Sequence, residues 1–123
     1  MQYALLIYDD ENTFGSMSEA ERGQIMQEYF GYTQALKDKG AYLDGNPLQP
    51  TRAATSVRVR DGERLVTDGP FAETKETLGG YYIIDVESLD EAIEWASKIP
   101  SARLGTIEVR PVMQVPAGAE ARA

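Results

Sequence analysis

Two helices that each begin with a serine cap, and each follow an apolar strand, constrain this fold most strongly. The apolar run 2–8 is followed by Ser18-Glu-Ala-Glu21, in which the serine hydroxyl and the glutamate carboxylate can each bind the other's backbone amide. Apolar residues at helical spacing then predict a helix over about 18–39. Strand 81–86 precedes a second such box, Ser88-Leu-Asp-Glu91, and a second helix. Two strand–helix–strand crossovers predict a ferredoxin-like α+β fold.

The remaining segments are shorter. Gly40 is placed to end the first helix in the left-handed conformation. We expect a loop over 11–17, a short strand over 41–44, a turn at Gly45-Asn46-Pro47 and a final strand over 107–113. The predicted order is β-α-β-β-α-β with a hairpin inserted in the middle.

The inserted hairpin has strands over 55–60 and 63–67 around Asp61-Gly62. We expect a three-residue loop, Arg60-Asp61-Gly62, because it sets Val57 opposite Leu65 and keeps the apolar residues on one buried face. Gly62 is expected at positive φ.

Both helices are expected on one face of an antiparallel sheet, which leaves the other face uncovered. Apolar side chains alternate along the strands and therefore occupy both faces. Large exposed apolar faces usually mark interfaces. We therefore expect a twofold homodimer in which the sheets face each other.

Length and composition exclude several classes of protein. The chain of 123 residues fits one domain, which we place at 1–115 with a flexible tail at 116–123. A net charge of −8 argues against binding to nucleic acid or anionic membranes. No secretory signal or apolar run long enough to span a membrane is seen, so we expect a cytoplasmic protein.

The chain contains no cysteine and no histidine. This removes thiol chemistry, the commonest metal ligands and the commonest general base. Asp9, Asp10 and Glu11 are adjacent but lack the alternating spacing of a calcium loop, so we interpret them as a solvated strand end. We expect neither a metal nor a cofactor.

The segment Asp68-Gly-Pro-Phe-Ala-Glu-Thr-Lys-Glu76 concentrates turn residues and charges. One interpretation is architectural: Asp68 caps a corner, Phe71 anchors it in the core and the charges are solvated. The other is a pocket rim, in which Asp68 and Glu73 are acid–base residues and Lys75 is a cationic anchor.

This segment resembles the signature of the DGPF subgroup of the YCII-related proteins. The resemblance extends from Leu5-Leu-Ile-Tyr8 through Leu78-Gly-Gly-Tyr81 to Glu108-Val-Arg-Pro111. It implies a ferredoxin-like fold that dimerises into a dimeric α+β barrel.

The resemblance says less about activity. Some members are thought to use a His–Asp pair in a cleft, and a related enzyme removes chloride from a chlorinated hydroxyquinone. Here Glu28, Tyr29 and Tyr32 occupy the region of that histidine, and Asp44 lies near the end of the second predicted strand. The subgroup is also often encoded beside extracytoplasmic-function sigma factors.

Two functions follow as hypotheses. The first is a domain that binds a small organic acid or aromatic ligand, or a histidine-independent enzyme of the proton-transfer or elimination type, with its cleft between the first helix and the sheet. Asp68 and Glu73 are the candidate catalytic residues, and Lys75, Tyr82 and Arg110 the candidate ligand-binding residues. The alternative is a non-catalytic regulatory or interaction subunit associated with a sigma-factor system.

Overall fold

The computed structural model describes residues 1–116, which form one four-stranded sheet, a separate hairpin and three α-helices. The elements, in chain order, are β1 (Gln2–Asp9), α1 (Glu11–Gly15), α2 (Glu19–Asp38), β2 (Tyr42–Pro47), β3 (Thr55–Arg60), β4 (Glu63–Asp68), β5 (Thr77–Asp85), α3 (Leu89–Ser97) and β6 (Thr106–Pro111). Two short 3₁₀ turns lie at Thr51–Ala53 and Pro100–Arg103. Apart from Pro116, the tail expected at 116–123 lies outside the described residues.

The main sheet has the strand order β2-β5-β1-β6, and every pair of neighbours is antiparallel. Without the hairpin, this is the ferredoxin-like arrangement, so the predicted α+β fold is confirmed. β1 lies inside the sheet because alternate residues bury one apolar stripe, with Tyr3, Leu5 and Ile7 all buried. That stripe faces the helices, and each fully buried aliphatic side chain contributes roughly 1.5–3 kcal/mol.

Helix α2 begins and ends where the sequence predicts. The Ser18 hydroxyl accepts a hydrogen bond from the Glu21 amide, and the Glu21 carboxylate accepts one from the Ser18 amide. Gly40 follows the helix with φ +69°. Only Tyr32 and Leu36 of α2 are buried, so the C-terminal half of the helix joins the core and the N-terminal half does not.

Helix α3 packs closely on the sheet because its buried face consists of Ala92 and Ala96. Ser88 caps it by accepting from the Glu91 amide, as predicted. The Glu91 carboxylate binds the amide of Glu87 instead of that of Ser88, so only half of the predicted capping box forms. None of the helices within residues 1–116 is long and apolar enough to cross a membrane.

Two local predictions are wrong. The expected loop at 11–17 contains α1, which forms because the Asp10 carboxylate caps it by accepting from the Asn12 amide. The expected turn at Gly45-Asn46-Pro47 is the continuation of β2. Proline is tolerated there because β2 is an edge strand, with no partner on its other side.

The predicted hairpin register is also wrong. Arg60 pairs with Glu63 and Val57 with Val66, so Asp61 and Gly62 alone form the turn. Both have positive φ, +51° and +77°, as a two-residue type I′ turn requires; the positive φ expected at Gly62 is confirmed. The prediction assumed a buried face that would select the register, but nearly all side chains of β3 and β4 are exposed.

Candidate functional site

A cavity of about 500 Å³ lies between the N-terminal half of α2 and the sheet. This is the range in which proteins bind small organic molecules. Its walls are largely apolar and aromatic, with Phe14, Ile25, Met26, Tyr29, Phe30 and Tyr82 among the lining side chains. The cavity exists because only the C-terminal half of α2 packs into the core.

Glycines keep the floor of the cavity open. At the irregularity between β1 and β5, Ile7 pairs with Gly80 and Tyr8 with Leu78, which leaves Gly79 as an extra residue. A Cβ at Gly79 would lie 3.1 Å from an Asp9 carboxylate oxygen, and one at Gly80 would lie 3.1 Å from the Asn46 carbonyl oxygen. A larger residue at Gly79 would therefore fill the space beside Asp9, and one at Gly80 would press on the backbone of β2.

Asp9 is the one charged side chain that is buried within residues 1–116, at 8% exposed. No residue of the described chain holds its carboxylate by a hydrogen bond, and burial raises its pKa, helped by the nearby charges of Glu11, Glu76 and Asp10. In this part of the chain no completely buried side-chain polar atom lacks a partner, so the Asp9 oxygens that bind nothing must face open space, which the cavity provides. A carboxyl group in this setting is suited to exchange protons with a bound molecule.

Three tyrosines around the cavity are held by hydrogen bonds. The hydroxyl of Tyr82 lies 2.7 Å from the Thr33 hydroxyl, and that of Tyr29 lies 2.6 Å from the Ser101 hydroxyl. The Tyr32 hydroxyl, behind them, donates to the Trp95 carbonyl. Burial raises the pKa of all three phenols, so they stay protonated, and Tyr29 and Tyr82 offer the cavity rigid aromatic walls rather than bases.

Glu11, which lines the cavity, is held in place by Thr51. The Glu11 carboxylate accepts from the Thr51 hydroxyl at 2.6 Å and from the Thr51 amide at 2.7 Å. These hydrogen bonds lower the pKa of Glu11. Arg22 also lines the cavity, and it makes no ion pair with a residue of the described chain. The lining thus includes a fixed anion, Glu11, and a cation, Arg22, that has no ion-pair partner within residues 1–116.

The structure does not bring the five sequence-predicted site residues together. Tyr82 lines the cavity, but Asp68 ends β4 and is exposed, and Glu73 and Lys75 are exposed in the connector that follows. Arg110 is exposed on β6 and binds the Glu108 carboxylate.

The corner at Gly69 is held mainly by backbone. Gly69 has φ +95°, its amide donates to Ala54 and its carbonyl accepts from the Ser56 hydroxyl. The expectation that Phe71 anchors this corner in the core is wrong, since Phe71 is 79% exposed.

Asp9 is the residue that sequence reasoning missed, and a signal for it exists. Tyr3, Leu5, Ile7 and Asp9 share the period of two that defines one face of a strand. Extending the buried face by one step would have placed Asp9 in the interior. Its two acidic neighbours made the whole segment look like a solvated strand end.

The other acidic residues considered are engaged elsewhere. Glu28 forms an ion pair with Arg103 at 2.8 Å, and Asp44 accepts from the Tyr81 hydroxyl. No cluster of three or more potential metal-ligating side chains occurs within residues 1–116. A more open groove of about 630 Å³ lies between α2 and α3, but its charged lining residues Glu28, Asp38, Lys39 and Lys98 are not buried.

Comparison with known proteins gives a consistent picture. The YCII-related domain matches residues 1–116. An uncharacterised protein of Rhizobium meliloti (strain 1021) is 40% identical over 114 residues, which cover 91% of this chain and 92% of that protein. The DGPF subgroup stays a prediction.

Among solved structures, the chain resembles 5-chloro-2-hydroxyhydroquinone dehydrochlorinase from Burkholderia phenoliruptrix AC1100, in complex with 2,5-dihydroxybenzoquinone. The TM-score is 0.56 over 94% of this chain and 96% of that one. At 16% sequence identity, the likeness establishes the shared fold alone.

Proposed function

This chain belongs to the YCII-related domain family, and we propose that it binds a small hydroxylated aromatic molecule in the cavity between α2 and the sheet. Asp9 exchanges a proton with a hydroxyl group of that ligand. The observation that carries this proposal is a buried carboxyl group, free of hydrogen bonds, in a cavity with aromatic walls.

The chemistry of the walls supports a flat ligand. Tyr29 and Tyr82 have their hydroxyls bound to protein partners, so their rings are fixed and can pack against another ring. The apolar surroundings strengthen a hydrogen bond to Asp9 because little water competes for it. Arg22, which lines the cavity, suits a ligand that also carries a carboxylate.

Proton exchange at Asp9 agrees with a histidine-independent reaction. A carboxyl group with a raised pKa can accept a phenolic proton while electron density moves into the ring, and can return a proton later. The related fold of the dehydrochlorinase, whose solved structure is a complex with 2,5-dihydroxybenzoquinone, supports trying quinones and phenols first.

Binding of 2,5-dihydroxybenzoquinone and of simple hydroxybenzoic acids, measured by calorimetry, tests the proposal. The Asp9→Asn variant should bind at least ~10-fold more weakly, since a hydrogen bond to a charged group contributes roughly 1.5–3 kcal/mol. Asp90→Asn, an equal charge change at an exposed position in the first turn of α3, should bind like the wild type. Equal affinities for all three proteins would refute the role of Asp9.

Asp68 and Glu73 stay the competing acid–base candidates, with Lys75 and Arg110 as ligand anchors. Cavity geometry favours Asp9 over them, because Asp68 and Glu73 are exposed and do not line the cavity. Asp68→Asn in the same binding assay separates the two proposals. Weaker binding by this variant alone would favour the exposed pair.

The regulatory alternative makes a different prediction. A subunit that serves a sigma-factor system without a ligand should show no thermal stabilisation by any phenol, quinone or aromatic acid in a broad panel. The cytoplasmic location and the dimer likewise stay predictions.

A further inference from the structure

One face of α2 forms a long wall of the cavity. The α2 residues that line the cavity follow the three- and four-residue spacing of one helix face, and we call them the α2 wall: Arg22, Ile25, Met26, Tyr29, Phe30 and Thr33. The helical rise places the first and the last of them about 16 Å apart along the axis. The cavity is therefore elongated, and its volume of about 500 Å³ suits ligands larger than a single ring.

Asp9 lies at the level of Tyr29 on this wall. The Tyr29 hydroxyl is 2.6 Å from the Ser101 hydroxyl, and the Ser101 carbonyl accepts from the Gly105 amide at 2.8 Å. Gly105 contacts Asp9, since a Cβ built on it would lie 3.0 Å from the Asp9 Cα. Burial chiefly raises the pKa of Tyr29, and the charge of Asp9 adds to that shift. A ring hydroxyl bound to Asp9 thus lies beside Tyr29.

Arg22 lies at the other end of the α2 wall. It precedes Tyr29 by seven positions, which is about 10 Å of helix. Helical side chains lean toward the N-terminus, which carries the Arg22 guanidinium farther from Tyr29. In agreement, the guanidinium is not among the charges that shift the pKa of Asp9. The acid–base group and the cation therefore contact different parts of one ligand.

The chemistry of Arg22 suits a single carboxylate. It is the one cation among the described residues that line the cavity, and no carboxylate within residues 1–116 pairs with it. A guanidinium binds a carboxylate through two parallel hydrogen bonds. Glu11 lies in the same lining, and the chain has a net charge of −8. These surroundings favour a ligand with one negative charge over a doubly charged phosphate.

The surface between the two ends of the wall is apolar. Ile25 and Met26 lie between Arg22 and Tyr29, and Met26 is 55% exposed. Phe30, beside Tyr29, is 63% exposed. A methylene chain that runs over these side chains would leave water together with them, which stabilises the complex.

We propose that the ligand is a hydroxyphenylalkanoic acid, a phenol whose carboxylate is carried on a short methylene chain, and that Arg22 binds the carboxylate. The inference rests on the proposed function, because it takes the ring hydroxyl to be bound at Asp9. A carboxylate attached directly to the ring stays near Tyr29, whereas one on a longer chain reaches Arg22. Arg22 thus determines specificity for the acid and for the length of its chain.

Calorimetry with a homologous series tests this assignment. The probes are 4-hydroxybenzoic acid and the 4-hydroxyphenyl acids with one, two and three methylenes before the carboxylate, each compared with its primary amide. Acid and amide share the apolar contacts, so the ratio of their affinities reports the contact with Arg22. With three methylenes the acid should bind at least ~10-fold more tightly than the amide, and the benzoic pair should differ by less than about threefold.

Matched variants assign the effect to one residue. Arg22 is exposed, so Arg22→Gln should fold like the wild type by circular dichroism. It should bring the acid-to-amide ratio to about one at every chain length. Arg58→Gln removes the same charge from exposed strand β3, which does not line the cavity, and should leave the ratios unchanged. Asp9→Asn should weaken the binding of acid and amide alike.

The outcomes separate this inference from the proposed function. A wild type that binds none of the acids or amides would refute the proposed function and this inference with it. Binding that depends on Asp9, but with the same small acid-to-amide ratio at all chain lengths, would overturn this inference alone. An equal loss of the ratio in Arg22→Gln and Arg58→Gln would also overturn it, since the net charge of the chain would then explain the preference.

Discussion

The main sheet and the hairpin of β3 and β4, called the arm below, are both antiparallel. Different forces nevertheless fix the registers of their strands. In the main sheet, β1 buries Tyr3, Leu5 and Ile7 together, and a slip by one residue would expose all of them. In the arm no face is buried, so the Asp61-Gly62 turn decides the pairing. The comparison teaches that a hydrophobic pattern predicts strand register only where the protein buries one side of the strand.

The largest expected effect comes from a substitution that leaves a cavity in the core and does not touch the arm. Leu36 is completely buried, so Leu36→Ala should lower the free energy of unfolding by ~2–5 kcal/mol. Val59→Ala, in the exposed arm, should change it by less than about 0.5 kcal/mol. Both values come from urea denaturation at sub-micromolar concentration, where self-association contributes least. A comparable loss for Val59→Ala would show that the arm packs on its own chain.

Two glycines sharpen the comparison, because replacing each by alanine should change the stability of the protein in opposite directions. A Cβ at Gly45, on the edge of the main sheet, would lie 2.7 Å from the Tyr82 ring and 3.2 Å from the Tyr81 carbonyl oxygen. Gly45→Ala should therefore destabilise the protein by ~1–3 kcal/mol. Gly31 lies inside α2 with open space around it, so Gly31→Ala should stabilise by ~0.5–1 kcal/mol. Thermal melts that show the same sign for both would contradict this packing.

The smallest and most gradual effect is a dependence on pH. The folded-state pKa of Asp9 is raised above its unfolded value, so the folded protein holds the proton more tightly. The contribution of Asp9 is therefore fully favourable below the unfolded pKa and is lost as pH rises through the folded pKa. Glu11, whose pKa is lowered, acts in the opposite direction.

Subtracting the free energy of unfolding of Asp9→Asn from that of the wild type isolates the contribution that ionisation of Asp9 makes to stability. Denaturation curves collected at pH values from 3 to 8 should show that the free energy of unfolding of the wild type falls relative to that of the variant as the pH rises. A difference that does not change with pH would show that Asp9 titrates normally.

The sequence predicted the architecture because its signals are local and redundant. Ser18 and Gly40 mark the ends of α2 by chemistry that acts within one helical turn, and the strand order follows from the crossovers. The errors at α1 and at Pro47 arose where a polar segment was taken to be irregular. The site was harder to predict because the raised pKa of Asp9 depends on burial and on the charge of Glu76, which only the folded chain brings near it.

The exposed segment 68–76 shows a second limit of prediction from the sequence. Asp68, Glu73 and Lys75 stand out by composition, yet they lie away from the cavity. Tyr82 was named for its aromatic ring, and its position follows from the alternation along β5. Side-chain chemistry alone therefore identified residue types that can act as acids, bases or anion ligands, but it did not predict which of them line the cavity.

The glycine floor has a further consequence for selectivity. Because Gly79 and Gly80 present backbone instead of side chains, this wall would limit a bound molecule by its shape and offers it no charged side chain. A methyl group added at Gly79 would leave every charge in place, yet it would lie 3.1 Å from an Asp9 carboxylate oxygen and so reduce the space available to a ligand beside that group. The size of a molecule that fits beside Asp9 would thus be adjustable without replacing the carboxyl group itself.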